Sequence, residues 1–144
     1  MYIDQVLNRF TTLATKGLAF RLNGGADART VHEAEERFGV EFPEQVAQFW
    51  TAIDGLQVED PPFELASLSE MLLDNGLLVF GRCDRHVRLA FDARSRNEAD
   101  RWSIVNADTG YRITFTVASF WSSHMWTWLV KRRPIWYDVH SGMA

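Results

Sequence analysis

An α+β fold is predicted for this chain of 144 residues, and three observations predict it. Apolar residues recur at helical spacing through the first third. They alternate with period two between residues 77 and 117. They return to helical spacing after Ser119. Helices and strands grouped in this way pack as helices on one face of a sheet. The expected architecture is an antiparallel twisted sheet of about four to six strands, flanked by N-terminal helices and a C-terminal helix. The length fits one domain, 1–144, because domains usually run from about 50 to 250 residues. An apolar share of 47% and an aromatic share of 13% supply a core that a disordered chain lacks.

The elements follow in order. Ile3, Val6, Leu7, Phe10, Leu13 and Ala14 form one helical stripe that Gly17 stops. Leu18 to Leu22 is a short extended piece, and Asn23-Gly24-Gly25 is a turn. A second helix starts near Thr30, where Thr30 and Glu33 have capping-box spacing, and ends at Gly39. A third begins at Pro43, buries Val46, Phe49, Trp50 and Ile53, and ends at Asp54-Gly55, with Phe42 placed to staple onto Val46. Asp60-Pro61-Pro62 forces a non-helical connection. Ser67 to Leu73 reads as a short helix closed by Asn75-Gly76. Strands are expected at Leu77 to Phe80, around Val87, Leu89 and Phe91, at Trp102 to Val105, and around Ile113, Phe115 and Val117. Asp108-Thr109-Gly110 turns the last pair. The polar stretch Ala93 to Arg101 is an exposed loop. A final helix starts with Ser119 as N-cap, buries Phe120, Trp121, Met125, Trp128 and Leu129, and stops at Pro134, leaving a tail at 134–144.

Charge is unevenly spread. Between Ala26 and Gly76, twelve carboxylates face only Arg29 and Arg37, a net charge of −10; from Leu77 onward ten basic residues face six acids. The expected consequence is an acidic face that repels nucleic acid and steers a basic partner, the alternative being ordinary solvated helix faces. Arg82 to Arg101, with Phe91 and Trp102 nearby, suggest a nucleotide-stacking platform, but scarce lysine and overall acidity disfavour nucleic acid. No run reaches the roughly 18 apolar residues of a membrane helix, and Asp4 and Arg9 interrupt any apolar leader. A soluble, cytoplasmic protein without membrane contact is expected, and one cysteine builds no internal disulfide.

Chemistry finds little purchase in these residues. His32, His86, His124 and His140 stand in no zinc pattern, and His32 with Glu36 is a helical surface pair before it is half a metal site. Cys83 with His86 is the one candidate thiol nucleophile, set against a buried structural cysteine. The glycines lack phosphate-loop contexts and the serines lack a nucleophile elbow. No catalytic residue, cofactor or metal is therefore expected. Arginine and tryptophan together are interface residues. Trp50, Trp102, Trp121 and Trp128 fall on buried faces. Trp126 and Trp136 are candidates for an exposed aromatic contact, unless the tail folds back and buries them.

One stretch carries a resemblance. Glu35-x-x-Phe38-Gly39-Val40-x-Phe42-Pro43, continuing to Val46, Phe49 and Asp54-Gly55, is similar to the signature of the SUKH superfamily, with phenylalanines in place of the commoner leucines. Trp102 to Val105, and Ala118-Ser119-Phe120 before the last helix, also resemble that family. It contains Smi/Knr-type cell-wall regulators and bacterial immunity proteins. The likeness covers roughly Thr30 to Leu129 and concerns structural positions, so it implies a SUKH-like fold more directly than a function. It implies a non-enzymatic protein-binding domain whose protein partner is a bacterial toxin neutralised by direct contact. The alternative is a regulatory or scaffold module. The candidate partner-binding residues are Glu33, Glu36, Glu41, Glu44, Glu59 and Asp60 on the acidic face, with Trp126 and Trp136.

Overall fold

A computed structural model describes residues 2–137. Of the expected tail, residues 138–144 lie outside the described residues, as does His140. The first helix, α1 (Tyr2–Ala14), buries Ile3, Val6, Phe10 and Leu13. Leu7 is half-buried and Ala14 exposed, so the stripe is narrower than its sequence spacing suggests. After β1 (Phe20–Leu22) comes α2 (Ala28–Phe38).

The cap of α2 is Asp27, not Thr30. The Asp27 carboxylate accepts the Thr30 N–H and hydroxyl, both at 2.8 Å. An aspartate at the true first position outcompetes a capping box one turn inside it. Glu33 is thereby left to pair with Arg29 at 3.0 Å. Gly39, at φ 68°, closes α2, and the Val40 N–H returns to the Glu35 carbonyl. Only a residue at ease in the left-handed region closes a helix this way. The Glu35 carboxylate then accepts the Phe42 N–H at 2.7 Å, and α3 (Glu44–Ala52) starts behind Pro43. The motif residues Glu35, Gly39, Phe42 and Pro43 therefore build one tight elbow between two helices.

Among the described residues eight strands form the sheet, more than the four to six expected. They are β1, β2 (Leu56–Val58), β3 (Phe63–Leu65), β4 (Leu72–Asp74), β5 (Leu77–Cys83), β6 (Val87–Asp92), β7 (Ile104–Asn106) and β8 (Arg112–Thr114). The order is β1-β2-β3-β5-β6-β7-β8, all antiparallel, with β4 beside β5. Strands β2, β3 and β4 have three residues each, too few to display a period. The expected helix at Ser67 to Leu73 shrinks to a 3-10 turn (Leu68–Glu70) followed by β4. Asn75 and Gly76, at φ 51° and 81°, turn β4 into β5 instead of closing a helix. Two such residues in succession make the hairpin turn whose twist matches the strands. Strand β5 runs on to Cys83 past a register shift between Val79 and Gly81. A Cβ on Gly81 would sit 2.5 Å from the Glu64 carbonyl, so glycine lets β3 approach there.

The helical end also begins earlier than expected. Thr116, not Ser119, is the N-cap, its hydroxyl accepting the Ser119 N–H at 3.0 Å. The strand expected to reach Val117 stops at Thr114, and Val117 enters the helix. α4 (Val117–Ser119), a π-helical segment (Phe120–Met125) and α5 (Trp126–Lys131) follow one another directly. Inward-facing strand residues meet the helices in one aromatic core. Trp50 touches Phe80 and Phe91, Trp121 touches Phe10, Phe49 and Phe63, and Phe80 touches Phe120. That core runs from Ile3 to Ile135. No helix among the described residues is long and apolar enough to cross a membrane.

Candidate functional site

Two surfaces present charge, and they are built differently. The first is the elbow of α2 and α3. Glu33, Glu36, Glu41 and Glu44 are all exposed there. Glu33 is paired with Arg29 and Glu36 with His32 at 2.9 Å. Glu41 and Glu44 have no ion-pair partner among the described residues. Arg37, the other cation of the stretch, is turned away: its guanidinium donates to the Leu68 and Ser69 carbonyls at 2.6 and 3.3 Å and lies 4.4 Å over the Phe38 ring. A shallow depression of about 440 Å³ opens between His32, Glu35, Glu36, Gly39, Val40 and Glu41.

The second surface is the outer face of the sheet. Arg21, Gln57, Glu64, Arg82 and Arg88 are direct cross-strand neighbours on β1, β2, β3, β5 and β6, so they form one row on one face. Gln57, Glu64 and Arg82 separate two clefts of about 270 and 600 Å³. Glu59 and Asp60 line the larger one, next to Arg85. Asp60 is held by Arg132 through two hydrogen bonds of 2.5 and 3.0 Å, which keep its carboxyl below the usual carboxylate range. Arg82 stands 4.0 Å from Glu64, and Arg88 reaches Asp108 at 2.6 Å and Asp74 at 3.9 Å. Acids of the first half here stand beside cations of the second.

The six acidic candidates therefore do not form one patch around a single cleft. Glu36 and Glu41 share the elbow depression; Glu59 and Asp60 share the sheet cleft. Trp126 is half-buried between Phe10 and Trp121, with Arg9 at 5.6 Å from its ring. Trp136 is half-buried edge-on to Trp128, and its carbonyl accepts the Asn106 side-chain N–H at 3.2 Å. The tail folds back onto the core as far as Trp136. The nucleotide-stacking platform is overturned, because Phe91 and Trp102 are fully buried and touch each other inside the core. Residues that the sequence did not single out are Gln57 and Glu64, and Arg82, named there only with the platform arginines, stands beside them instead. Only the cross-strand register reveals that they share a face.

Cys83 is buried within the core, and burial followed by the Asp84 charge pushes its thiol well above the usual range. A protonated, enclosed thiol is no nucleophile at neutral pH. His86 is exposed in the turn after β5. His124 is half-buried, and desolvation lowers its pKa. Among the described residues no three His, Cys, Asp or Glu side chains gather as a metal site would require. Neither a protein-family model nor a curated protein matches this chain.

Proposed function

We propose that this chain is a non-enzymatic, SUKH-like protein-binding domain of the immunity type, which neutralises a cognate toxin by direct contact in the cytoplasm. The observation that carries the reading is the α2–α3 elbow. Among the described residues Glu41 and Glu44 have no ion partner there, while Arg29 is paired with Glu33 and the exposed Arg37 guanidinium is tied to the Leu68 and Ser69 carbonyls. Unpaired carboxylates on such an elbow attract a basic partner and add association rate as well as orientation. Glu33 and Glu36 extend that surface along α2. Glu59 and Asp60 serve the same contact only if the partner also reaches the sheet cleft. The resemblance of the elbow motif to the SUKH signature supports the partner class.

The test is a pull-down with the polypeptide encoded by the adjacent gene, at low and high salt, with that polypeptide's activity measured. One stoichiometric partner, inactivated by the chain and released by salt, is the expected result. Absence of any stable partner at both salt levels rejects the immunity reading and favours a regulatory module with weaker contacts.

A further inference from the structure

The chain holds two Asn-Gly dipeptides, Asn23-Gly24 and Asn75-Gly76. Both asparagines are exposed, and the dipeptide alone gives them the same chemistry. Asparagine is thermolabile because its side-chain amide lies within reach of its own backbone. The backbone nitrogen of the next residue can attack the asparagine Cγ, and a glycine there has no side chain in the way. The ring closes only after the chain turns about the asparagine Cα–C bond, which brings that nitrogen round to Cγ. Exposure alone is therefore not enough, because the residue must also be free to turn.

The fold separates the two sites. The Asn23 backbone N–H donates to the Gly55 carbonyl at 3.0 Å, and its side-chain amide donates to the Asp54 carbonyl at 2.9 Å. The Asp54 N–H returns to the Gly24 carbonyl at 3.3 Å, and the Ala26 N–H is bonded to the Trp50 carbonyl at 2.9 Å. Between them Gly25 lies so close to the Thr51 carbonyl that a Cβ would not fit. Turning Asn23 breaks this seam against the end of α3. Asn75 has no such ties. Neither its backbone N–H nor its side-chain amide has a hydrogen-bond partner among the described residues. It sits at the tip of the β4–β5 hairpin, whose outer strand is three residues long. Only the next residue is held there, by the Ala93 N–H on the Gly76 carbonyl at 2.9 Å and by the Arg94 side chain. Tips of this kind open locally at small free-energy cost, and the reaction proceeds from the opened turn.

We propose that Asn75 is a site of spontaneous deamidation, while the fold protects the identical dipeptide at Asn23. The Gly76 nitrogen bonds to the Asn75 Cγ and loses its proton. The C–N bond of the side-chain amide breaks, and that nitrogen leaves as ammonia. Water then opens the cyclic imide at either of its two carbonyls. One product is aspartate at position 75. The other is isoaspartate, in which the main chain runs through the former side-chain carbons. No oxidant or reductant enters the balance. Either product sets a new carboxylate next to Asp74, and the isoaspartate lengthens the turn that closes on the Asp74–Leu77 pair. The site uses no residue of the elbow, so it stands independently of the immunity reading.

The experiment is a time course on the full chain in mildly alkaline buffer, folded in one arm and held in concentrated urea in the other. Proteolysis in acid followed by mass spectrometry locates the mass gain of amide turned to acid, and chromatography separates aspartate from isoaspartate. In the folded chain Asn75 should convert at least about tenfold faster than Asn23. In urea the two rates should converge, because the same glycine follows each asparagine. Both aspartate and isoaspartate should appear at position 75, as the cyclic imide requires. Equal rates at the two asparagines in the folded chain overturn the proposal. So does a gap that persists in urea, since the difference then lies in the sequence and not in the fold. Aspartate without isoaspartate also overturns it, because direct hydrolysis and not attack by Gly76 then makes the product.

Discussion

The α2–α3 elbow and the sheet handle the same acidic sequence in opposite ways. Ala26 to Gly76 enters the fold with ten more acids than bases. Where it forms α2, α3 and their connection, the carboxylates keep local neighbours: Glu33 and Glu36 pair within α2, and Glu41 and Glu44 have no ion partner among the described residues. Where it forms β2, β3 and β4, register sets it beside the arginine-rich second half. Glu64 then faces Arg82, Asp60 meets Arg132, and Asp74 approaches Arg88. Linear charge thus survives in helices, whose neighbours are local, and is mixed away in an antiparallel sheet, whose neighbours are distant.

The change that breaks this comparison hardest is at Trp50, which joins the two regions. It is fully buried against Phe80 and Phe91, and its indole N–H donates to the Ala66 carbonyl at 2.9 Å. Trp50→Ala should cost about 3–5 kcal/mol in urea unfolding. A loss under about 1 kcal/mol would mean that the elbow does not rest on the sheet.

Glu35→Ala removes the carboxylate that holds the Phe42 N–H between the helices. A loss of about 1–2 kcal/mol is expected, with the sheet unaffected by hydrogen exchange. By contrast Glu41→Gln should change stability by no more than about 0.5 kcal/mol. That contrast separates the acid that builds the elbow from the acid that decorates it.

The smallest effect concerns acid. Hydrogen bonds from Thr30 hold the Asp27 carboxyl below its ordinary value. Its folded pKa is thus lower than the unfolded one of about 3.9. Its stabilisation is present above that unfolded value and is lost as pH falls through the folded one. Asp27→Asn keeps an acceptor for the cap but cannot titrate. Its urea midpoint should therefore fall less than the wild type's between pH 5 and pH 3, as read from paired unfolding curves.

Much of the helical part was legible in the sequence, because stripes such as Ile3, Val6 and Phe10 repeat over several turns. The elbow was legible too, since Gly39 and Pro43 have few other uses. Strands of three residues were not, and Leu68 and Met71, both buried, one opening a 3-10 turn and one following it, imitated a helix. The caps slipped by one turn because Asp27 and Thr116 precede residues that cap equally well by type. Half of the candidate surface was legible as charge, but which acids stay unpaired depends on pairings far apart in sequence. Phe91 and Trp102 fall on the apolar side of their alternating patterns, and that local signal, not their nearness to the arginines, decided their place in the core.

If the proposed contact is right, the elbow and not the sheet face meets the partner. Affinity for the polypeptide captured in the pull-down, measured by calorimetry at two salt concentrations, tests it with two variants. Glu41→Lys with Glu44→Lys should weaken binding by at least about tenfold and flatten its salt dependence, while Glu64→Lys leaves both unchanged. Loss of binding with Glu64→Lys, and none with the elbow pair, would contradict the account and move the contact to the outer face of the sheet.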